Sequence, residues 1–144
     1  MAVRDSGTRQ DTFSVIVQLN GNTLGVWDKK TGGELDSDDI KYYPGAMAKV
    51  QSLGGRVTPG NLVLQRLYDR QDDHDKINTL FNAVGRGKVK VTQRPLDLDG
   101  NGYGKRIVWT GKLKRVNVPD ADSEATAAAL IEIEVSVDGA PVAQ

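Results

Sequence analysis

The residues best suited to metal chemistry lie in the segment Asp97-Leu98-Asp99-Gly100-Asn101-Gly102. Oxygen-bearing side chains at alternate positions, followed by glycine, are typical of the first half of an EF-hand calcium loop. The bidentate glutamate that closes such a loop would stand at Val108, and the flanking segments alternate as strands do. Asp, Asn and Gly are equally frequent in turns. We therefore interpret the segment as a hairpin turn, with calcium binding as the alternative.

Two glycine-rich segments resemble phosphate-binding loops but lie in the wrong local structure. Gly100, Gly102 and Gly104 precede a predicted strand, whereas a phosphate loop opens a helix. The segment 85–88 (Gly-Arg-Gly-Lys) closes a predicted helix, where the helix dipole is negative and repels phosphate. Neither segment predicts a nucleotide site.

His74 is the only histidine, and it is flanked by Asp72, Asp73 and Asp75. A metal site or an acid–base pair is one interpretation of this cluster. Zinc sites and catalytic triads need partners that a chain with one histidine and no cysteine does not supply. We therefore interpret the cluster as the solvated start of a helix and predict no catalytic residue, no metal site, no cofactor and no enzyme activity.

The composition limits the class of protein. The 144 residues fit one domain, and 19 basic residues balance 19 acidic ones, so no net field favours nucleic acid or an anionic membrane. The absence of cysteine excludes disulfides and thiolate sites. No apolar run is long enough to cross a membrane, and the first residues do not resemble a signal peptide. We expect a soluble protein made in the cytoplasm.

The segment from Asn61 to Arg94 predicts a strand, one amphipathic helix and a second strand. Four apolar residues at i, i+3, i+4 and i+7 form one helical stripe: Ile77, Leu80, Phe81 and Val84. Acidic residues before this stripe suit a helix start, and Gly85 and Gly87 suit its end. The prediction is one α-helix over about residues 73–85.

The rest of the chain has the alternation of β-structure. An Asn20-Gly21 turn joins the first two strands, and a change of buried face in the strand 105–118 predicts a bulge at Gly111. The last strand is predicted to include Ala127 and Ala129 and to run to Val137. We predict a mainly β fold, a sandwich or small barrel of about six to seven antiparallel strands with one flanking helix. The predicted divisions are a flexible arm 1–11, a single domain 12–138 with a long hairpin or loop at about 28–55, and a tail 139–144.

Two surfaces have more than one interpretation. Tyr42 and Tyr43 either cover the base of their own hairpin or rim an interface, where aromatic residues are enriched. Basic residues follow the exposed parity of two strands: Lys88, Lys90, Arg106, Lys112 and Lys114. These residues form either solvated strand faces or a nucleic-acid surface, although the aromatic residues that would stack on bases do not repeat among them.

The order of the elements resembles that of phage tail tube proteins, a family related to the tube subunits of contractile injection systems and type VI secretion. The similar features follow one another over nearly the whole chain: the strand 13–17 with its Asn20-Gly21 turn, Gly32-Gly33-Glu34, the Tyr42-Tyr43-Pro44-Gly45 to Gly54-Gly55 segment, the strand 61–66 leading into the helix, and the closing strand from Ser123 to Val135.

The resemblance implies a structural virion subunit that forms hexameric rings stacked into a hollow tail tube conducting DNA. The partners it implies are further copies of the chain, tape measure, terminator and baseplate or tip proteins, and DNA that passes without sequence-specific binding. The implied interface candidates are Arg4, Arg9, Tyr42, Tyr43, Pro44 and Met47, and the implied lumen candidates are Lys88, Lys90, Arg106, Lys112, Glu132 and Glu134. The alternatives are the inner tube of a bacterial contractile injection system and a monomeric β-barrel that binds a ligand or nucleic acid.

Overall fold

The computed structural model of the chain describes residues 7–144 and is mainly β. Besides a 3-10 turn (Gln10–Thr12) and a π-helical turn (Arg70–His74), it contains one α-helix and ten strands: β1 (Phe13–Leu19), β2 (Asn22–Trp27), β3 (Lys29–Gly32), β4 (Leu35–Tyr42), β5 (Gln51–Pro59), β6 (Leu62–Leu67), α1 (Ile77–Ala83), β7 (Lys88–Pro95), β8 (Ile107–Asn117), β9 (Leu130–Val137) and β10 (Val142–Ala143). The predicted fold, a β-protein with one helix, is confirmed.

Seven strands form one curled antiparallel sheet in the order β2-β1-β7-β8-β9-β6-β3, and the short strand β10 pairs with β8. The two strands at the ends of this order, β2 and β3, are consecutive in the chain and are separated only by Asp28. The Asp28 N–H donates to the Gln65 carbonyl (3.1 Å). The chain therefore joins both edges of the sheet, which leaves a barrel-like curl rather than a flat layer.

Arg66 on β6 links this junction to the segment that follows the strand. Its guanidinium donates to the Leu24 carbonyl and to the Asp73 carboxylate, and it lies 4.5 Å from the centre of the Trp27 ring. Asp73 is 1% exposed. A buried charge needs such pairing, because a carboxylate without hydrogen bonds pays a large desolvation cost. The pair therefore fixes the π-helical turn against the closing edge of the sheet.

The core lies inside the curl and is built by the inward parity of each long strand. Alternation is strict in β9, where Ile131, Ile133 and Val135 are fully buried. The buried apolar residues of the other elements complete the same cluster: Val15, Val17, Leu19, Trp27, Leu62, Leu64, Leu80, Ala83, Val89, Val91, Trp109 and Leu113. One continuous core is consistent with a single domain.

The helix is shorter than predicted. Residues 70–74 form a π-helical turn, capped by the Asp69 carboxylate, which accepts hydrogen bonds from the backbone N–H groups of Gln71 and Asp72. These two hydrogen bonds, chiefly the one from the Asp72 N–H, lower the pKa of Asp69 because they stabilise its charged form. Because Asp73 points inward to Arg66, the acidic residues do not cap α1, which begins only at Ile77. Leu80 is buried as predicted, whereas Phe81 and Val84 are 48% and 39% exposed.

Two strand predictions need correction. The predicted bulge in β8 exists, but it lies between Leu113 and Arg115 rather than at Gly111. Gly111 is required for another reason, since a Cβ there would lie 2.1 Å from the Ser136 carbonyl oxygen. The last strand begins at Leu130, so Ala127 and Ala129 are exposed and outside it. Small apolar residues fit the alternation of a strand without adding the burial that would hold it on the sheet.

The Arg66–Asp73 pair provides the first testable prediction. Asp73→Ala should lower the free energy of unfolding by about 3–5 kcal/mol, because it leaves a largely buried guanidinium without its counter-ion. Urea unfolding measures this change. Arg115→Ala is the control, since Arg115 is half-exposed in its pairs with Glu132 and Glu134, and its loss should cost about 1 kcal/mol or less. Equal losses in the two variants would contradict the assigned role of Asp73.

Candidate assembly surfaces

The outer half of the hairpin formed by β4 and β5 (Leu35–Pro59) has one apolar face and no core beneath it. The two strands form their own two-stranded sheet, with a register shift between Ser37 and Asp39. The extra residue of this shift lies on β5, so Leu35 and Val57 near the base face one way, whereas Ile40, Tyr42 and Leu53 beyond the shift face the other. Ile40, Tyr42 and Leu53 are each about half-exposed (51%, 54% and 47%). A two-stranded sheet with a bare apolar face is marginally stable alone, so this face is suited to a partner.

The base of the hairpin is attached firmly to the barrel. The Trp109 indole N–H donates to the Gly33 carbonyl (3.1 Å), and the Gly60 N–H donates to the Glu34 carbonyl (2.7 Å). A Cβ at Gly33, where φ is +77°, would lie 2.5 Å from the Leu62 side chain. Glycine is therefore required at this position, and the hairpin leaves the barrel in a defined direction.

The Lys30 ammonium covers the outer side of the same tryptophan, 4.0 Å from the centre of the Trp109 ring. Burial lowers the pKa of Lys30 because the charged form loses solvation. The cation–π contact offsets part of that loss. Lys30 therefore packs on Trp109 at the base of the hairpin and is not a free surface charge.

The structure places most of the predicted interface residues around the hairpin. Tyr42 ends β4, Tyr43 is 73% exposed, and Met47 in the loop between the strands is fully exposed; Pro44 between them is partly buried. Arg9 lies away from this group, before β1, and pairs with Asp11 at 3.1 Å. Arg4 lies outside the described residues. Tyr42 thus belongs to the apolar face of the hairpin and does not cover the hairpin's own base.

The predicted lumen residues come together on the outer face of the curled sheet, defined here as the strand parity that points away from the core. Lys88 and Lys90 lie on β7, Lys112 on β8, and Glu132 and Glu134 on β9. Arg106 immediately precedes β8. Three neighbouring strands therefore present five of these side chains to one side of the molecule, and Arg106 lies next to them.

Charges on this outer face are divided between two zones. Glu132 accepts from Arg115 (2.5 Å) and from Gln65 (2.7 Å), while Glu134 lies 3.4 Å from Arg115 and 3.5 Å from Lys114. The β8–β9 side is thus neutralised. Within residues 7–144, no carboxylate pairs with the three lysines Lys88, Lys90 and Lys112. Lys88 and Lys112 even lie directly opposite each other.

The segments considered for metal or acid–base chemistry have structural roles. The Asp97 carboxylate accepts from the N–H groups of Asp99 (3.0 Å) and Asn101 (2.9 Å), which makes the segment a turn. The His74 Nδ1 is 2.7 Å from the Tyr68 hydroxyl. In the part of the chain that the structure describes, no group of three His, Asp or Glu side chains is arranged to hold a metal ion. None of the helices in residues 7–144 is long and apolar enough to cross a membrane.

No family model and no curated protein matches the chain, but solved structures do. A chain of the extended sheath–tube complex of an extracellular contractile injection system, PVC, is 15% identical with a TM-score of 0.76, covering 97% of this chain and 93% of that one. A chain of the tube-terminating cap of the anti-feeding prophage is 16% identical with a TM-score of 0.77, covering 100% and 94%. A chain of the PVC sheath/tube terminator is 14% identical with a TM-score of 0.77, covering 99% of both.

These matches show that the chain has the fold of components of contractile injection systems. The resemblance to the tail tube family and its relatives is therefore confirmed at the level of the fold. The matched chains belong to a sheath–tube complex, a tube-terminating cap and a sheath/tube terminator. Because each match extends over almost the whole of both chains, the hairpin and the sheet belong to one shared architecture.

The like-charged pair on β7 and β8 gives the second prediction. Lys88→Glu should stabilise the fold by about 0.2–1 kcal/mol, since it replaces a repulsive cross-strand pair with an attractive one opposite Lys112. Thermal unfolding at low and high salt measures the gain, which should shrink as salt rises. Lys88→Glu combined with Lys112→Glu is the matched control, because two glutamates at the same facing positions restore a repulsive pair. An equal or larger gain in the double variant would show that the register on this face is not what sets the repulsion.

Proposed function

We propose that the chain is a structural tube subunit that assembles into stacked hexameric rings, as in a bacteriophage tail or a related contractile injection device. The observation that carries the proposal is the apolar face of the β4–β5 hairpin, on a fold shared with chains of tube-containing complexes. A neighbouring copy that covers this face supplies the burial that the hairpin lacks in one chain. Rotational assembly closes such head-to-tail contacts into a ring.

In the proposed ring, the hairpin is the main contact with neighbouring copies, and Tyr42, Tyr43, Pro44 and Met47 contribute to it. Arg4 and Arg9 extend the contact through the N-terminal arm. The partners at the two ends of the tube are proposed to be terminator and baseplate or tip proteins, with a tape measure protein inside during assembly. The matched structures include sheath–tube, terminator and cap complexes, which supports the proposed partners at the ends of the tube.

The outer face of β7, β8 and β9 is proposed as the wall of the channel. Five of its six candidates lie on adjacent strands and Arg106 immediately precedes β8. A wall of mixed sign lets a polyanion such as DNA move without being held along its whole length. The proposed site of action is the tail of a virion, after synthesis in the cytoplasm of the host. The matches to PVC and the anti-feeding prophage support the injection-system form of the same role.

Electron microscopy of the concentrated protein, with light scattering on the same sample, tests the proposal. We expect hollow tubes or six-fold rings. Some tubes form only on an initiating complex. The same sample is therefore also mixed with preformed tube fragments from a lysate of cells that express the complete set of tail or injection-device proteins. A monodisperse monomer under both conditions would contradict the proposal and favour the monomeric binding module.

The hairpin provides the third prediction. Ile40→Ser combined with Leu53→Ser should abolish or strongly reduce assembly while lowering the free energy of unfolding by no more than about 3 kcal/mol, because each half-exposed side chain contributes only half of the roughly 1.5–3 kcal/mol of full burial. Lys41→Ser on the opposite face of the same hairpin is the matched control and should assemble normally. Unfolding of the double variant would show that these residues belong to the stability of the single chain.

The fourth prediction concerns the arm. Removal of residues 1–10 should leave a folded domain, since residues 7–10 are exposed and the core begins on β1. Rings should still form, but the tubes should be shorter, because the arm is proposed to contact neighbouring copies. Circular dichroism checks the fold and electron microscopy measures tube length. Unchanged length and yield would remove the arm, with Arg4 and Arg9, from the proposed interface.

A further inference from the structure

A groove of about 330 Å³ lies on the outer face, where β1, β7 and the segment before β8 meet. Its polar lining contains three cations, two hydroxyls and one amide, and no carboxylate: Lys90, Arg94, Arg106, Ser14, Thr92 and Gln18. We call it the basic groove. In a chain whose formal net charge is zero, a concave site with this lining concentrates positive charge in one place.

The two arginines of the groove lie next to the end of the β7–β8 pairing. Gln93 on β7 is opposite Ile107 on β8, and Arg94 and Arg106 are the residues that adjoin this pair and line the groove. The backbone of Arg106 is held in place by reciprocal hydrogen bonds with Gln144, both 2.8 Å. Like charges that line one groove are unfavourable unless an anion lies between them. The groove therefore contains two guanidinium groups that a bound anion would stabilise.

Arg94 also has an unmet hydrogen-bonding group. Its Nε is buried and has no acceptor within residues 7–144. The guanidinium packs closely against Gly102, where a Cβ would lie 2.7 Å from its Cζ. Glycine at this position thus leaves room for the arginine beside the turn 97–102. A guanidinium donor that is fixed but unpaired is the arrangement expected where an oxyanion binds.

We propose that the basic groove binds a phosphate group, supplied either by a polynucleotide backbone or by free phosphate. Phosphate fits the lining better than a carboxylate does. A carboxylate has two oxygens, which one arginine already occupies in a bidentate pair, whereas phosphate offers further oxygens to a second arginine, a lysine and the two hydroxyls. The volume holds a phosphate group with several waters, each of which occupies roughly 30 Å³. The inference does not depend on assembly into a tube.

Isothermal titration at low salt with inorganic phosphate, and separately with acetate, tests the site on the full chain. Phosphate should bind, and acetate should bind at least about tenfold more weakly because it leaves one arginine unpaired. Arg94→Gln and Arg106→Gln should each weaken phosphate binding about tenfold, the usual effect of removing a charged hydrogen bond. Lys90→Gln is a further variant at an exposed position, should the Arg94 variant not fold.

Lys105→Gln is the matched control, because Lys105 is adjacent to Arg106 and exposed but does not line the groove. It should bind phosphate as the unaltered chain does. Fluorescence anisotropy with a labelled twelve-residue oligothymidylate then identifies the source of the phosphate. Competition between the oligonucleotide and inorganic phosphate, lost in the arginine variants, assigns the groove to a polynucleotide backbone; phosphate binding without oligonucleotide binding assigns it to free phosphate.

Two results would overturn the proposal. The first is no measurable phosphate binding by the unaltered chain at millimolar concentration. The second is equal weakening in Lys105→Gln and in the arginine variants, which would indicate a diffuse charge effect. Oligonucleotide affinity should also fall as salt concentration rises. For a site with three phosphate-facing cations, a plot of log affinity against log salt concentration should have a slope of about −2.

Discussion

Closure of the curled sheet at Asp28 is the constraint on which the rest of the structure depends. A sheet with seven strands has two edges, and here both edges belong to one bent stretch of chain, β2 followed by β3. Arg66 reinforces this closure from β6, where it contacts the Leu24 carbonyl, the Trp27 ring and the Asp73 carboxylate. The core includes Trp27 on β2 as well as Leu62 and Leu64 on β6, so this junction brings both edge regions of the sheet onto one core. A buried ion pair adds less net stability than an apolar substitute would, so its value here is that it fixes one arrangement of the π-helical turn.

The curl of the sheet determines which surfaces remain accessible to neighbouring molecules. Once the inward parity of the strands is used for the core, the molecule can offer neighbours only its outer face, its two ends and the hairpin. The outer face is charged, whereas the hairpin has an apolar side. The hairpin leaves the barrel near Trp109, at the end where β6 begins, and α1 lies at the opposite end, where β6 has finished and β7 begins. The two ends of the molecule therefore differ: the hairpin has an uncovered apolar face at one end, and Phe81 is exposed on the helix at the other.

The sequence predicted the fold class because alternation in β1, β6, β7 and β9 is long and regular, and the Asn20-Gly21 turn has the positive φ values, 51° and 86°, that such a turn requires. Boundaries were predicted less well where burial decides them. Ala127 and Ala129 continue the alternation but are too small to hold a strand. The helix prediction was too long because the acidic residues before it also suit a capped π-helical turn, and only the contact between Arg66 and Asp73, across the fold, distinguishes the two.

The candidate surfaces could also be predicted only in part from the sequence. Parity alone predicted that the lysines and glutamates of β7, β8 and β9 face outward, because parity is a local property. It could not predict which of them are neutralised, since that depends on the bulge between Leu113 and Arg115, which brings Arg115 opposite Glu134. Nor could it detect the basic groove, whose members come from three separate segments and meet only through the pairing of β1 with β7 and of β7 with β8. Arg94 could have been noted as the next basic residue of the outward parity after Lys88 and Lys90, but Arg106 comes next to it only through the pairing of β7 with β8.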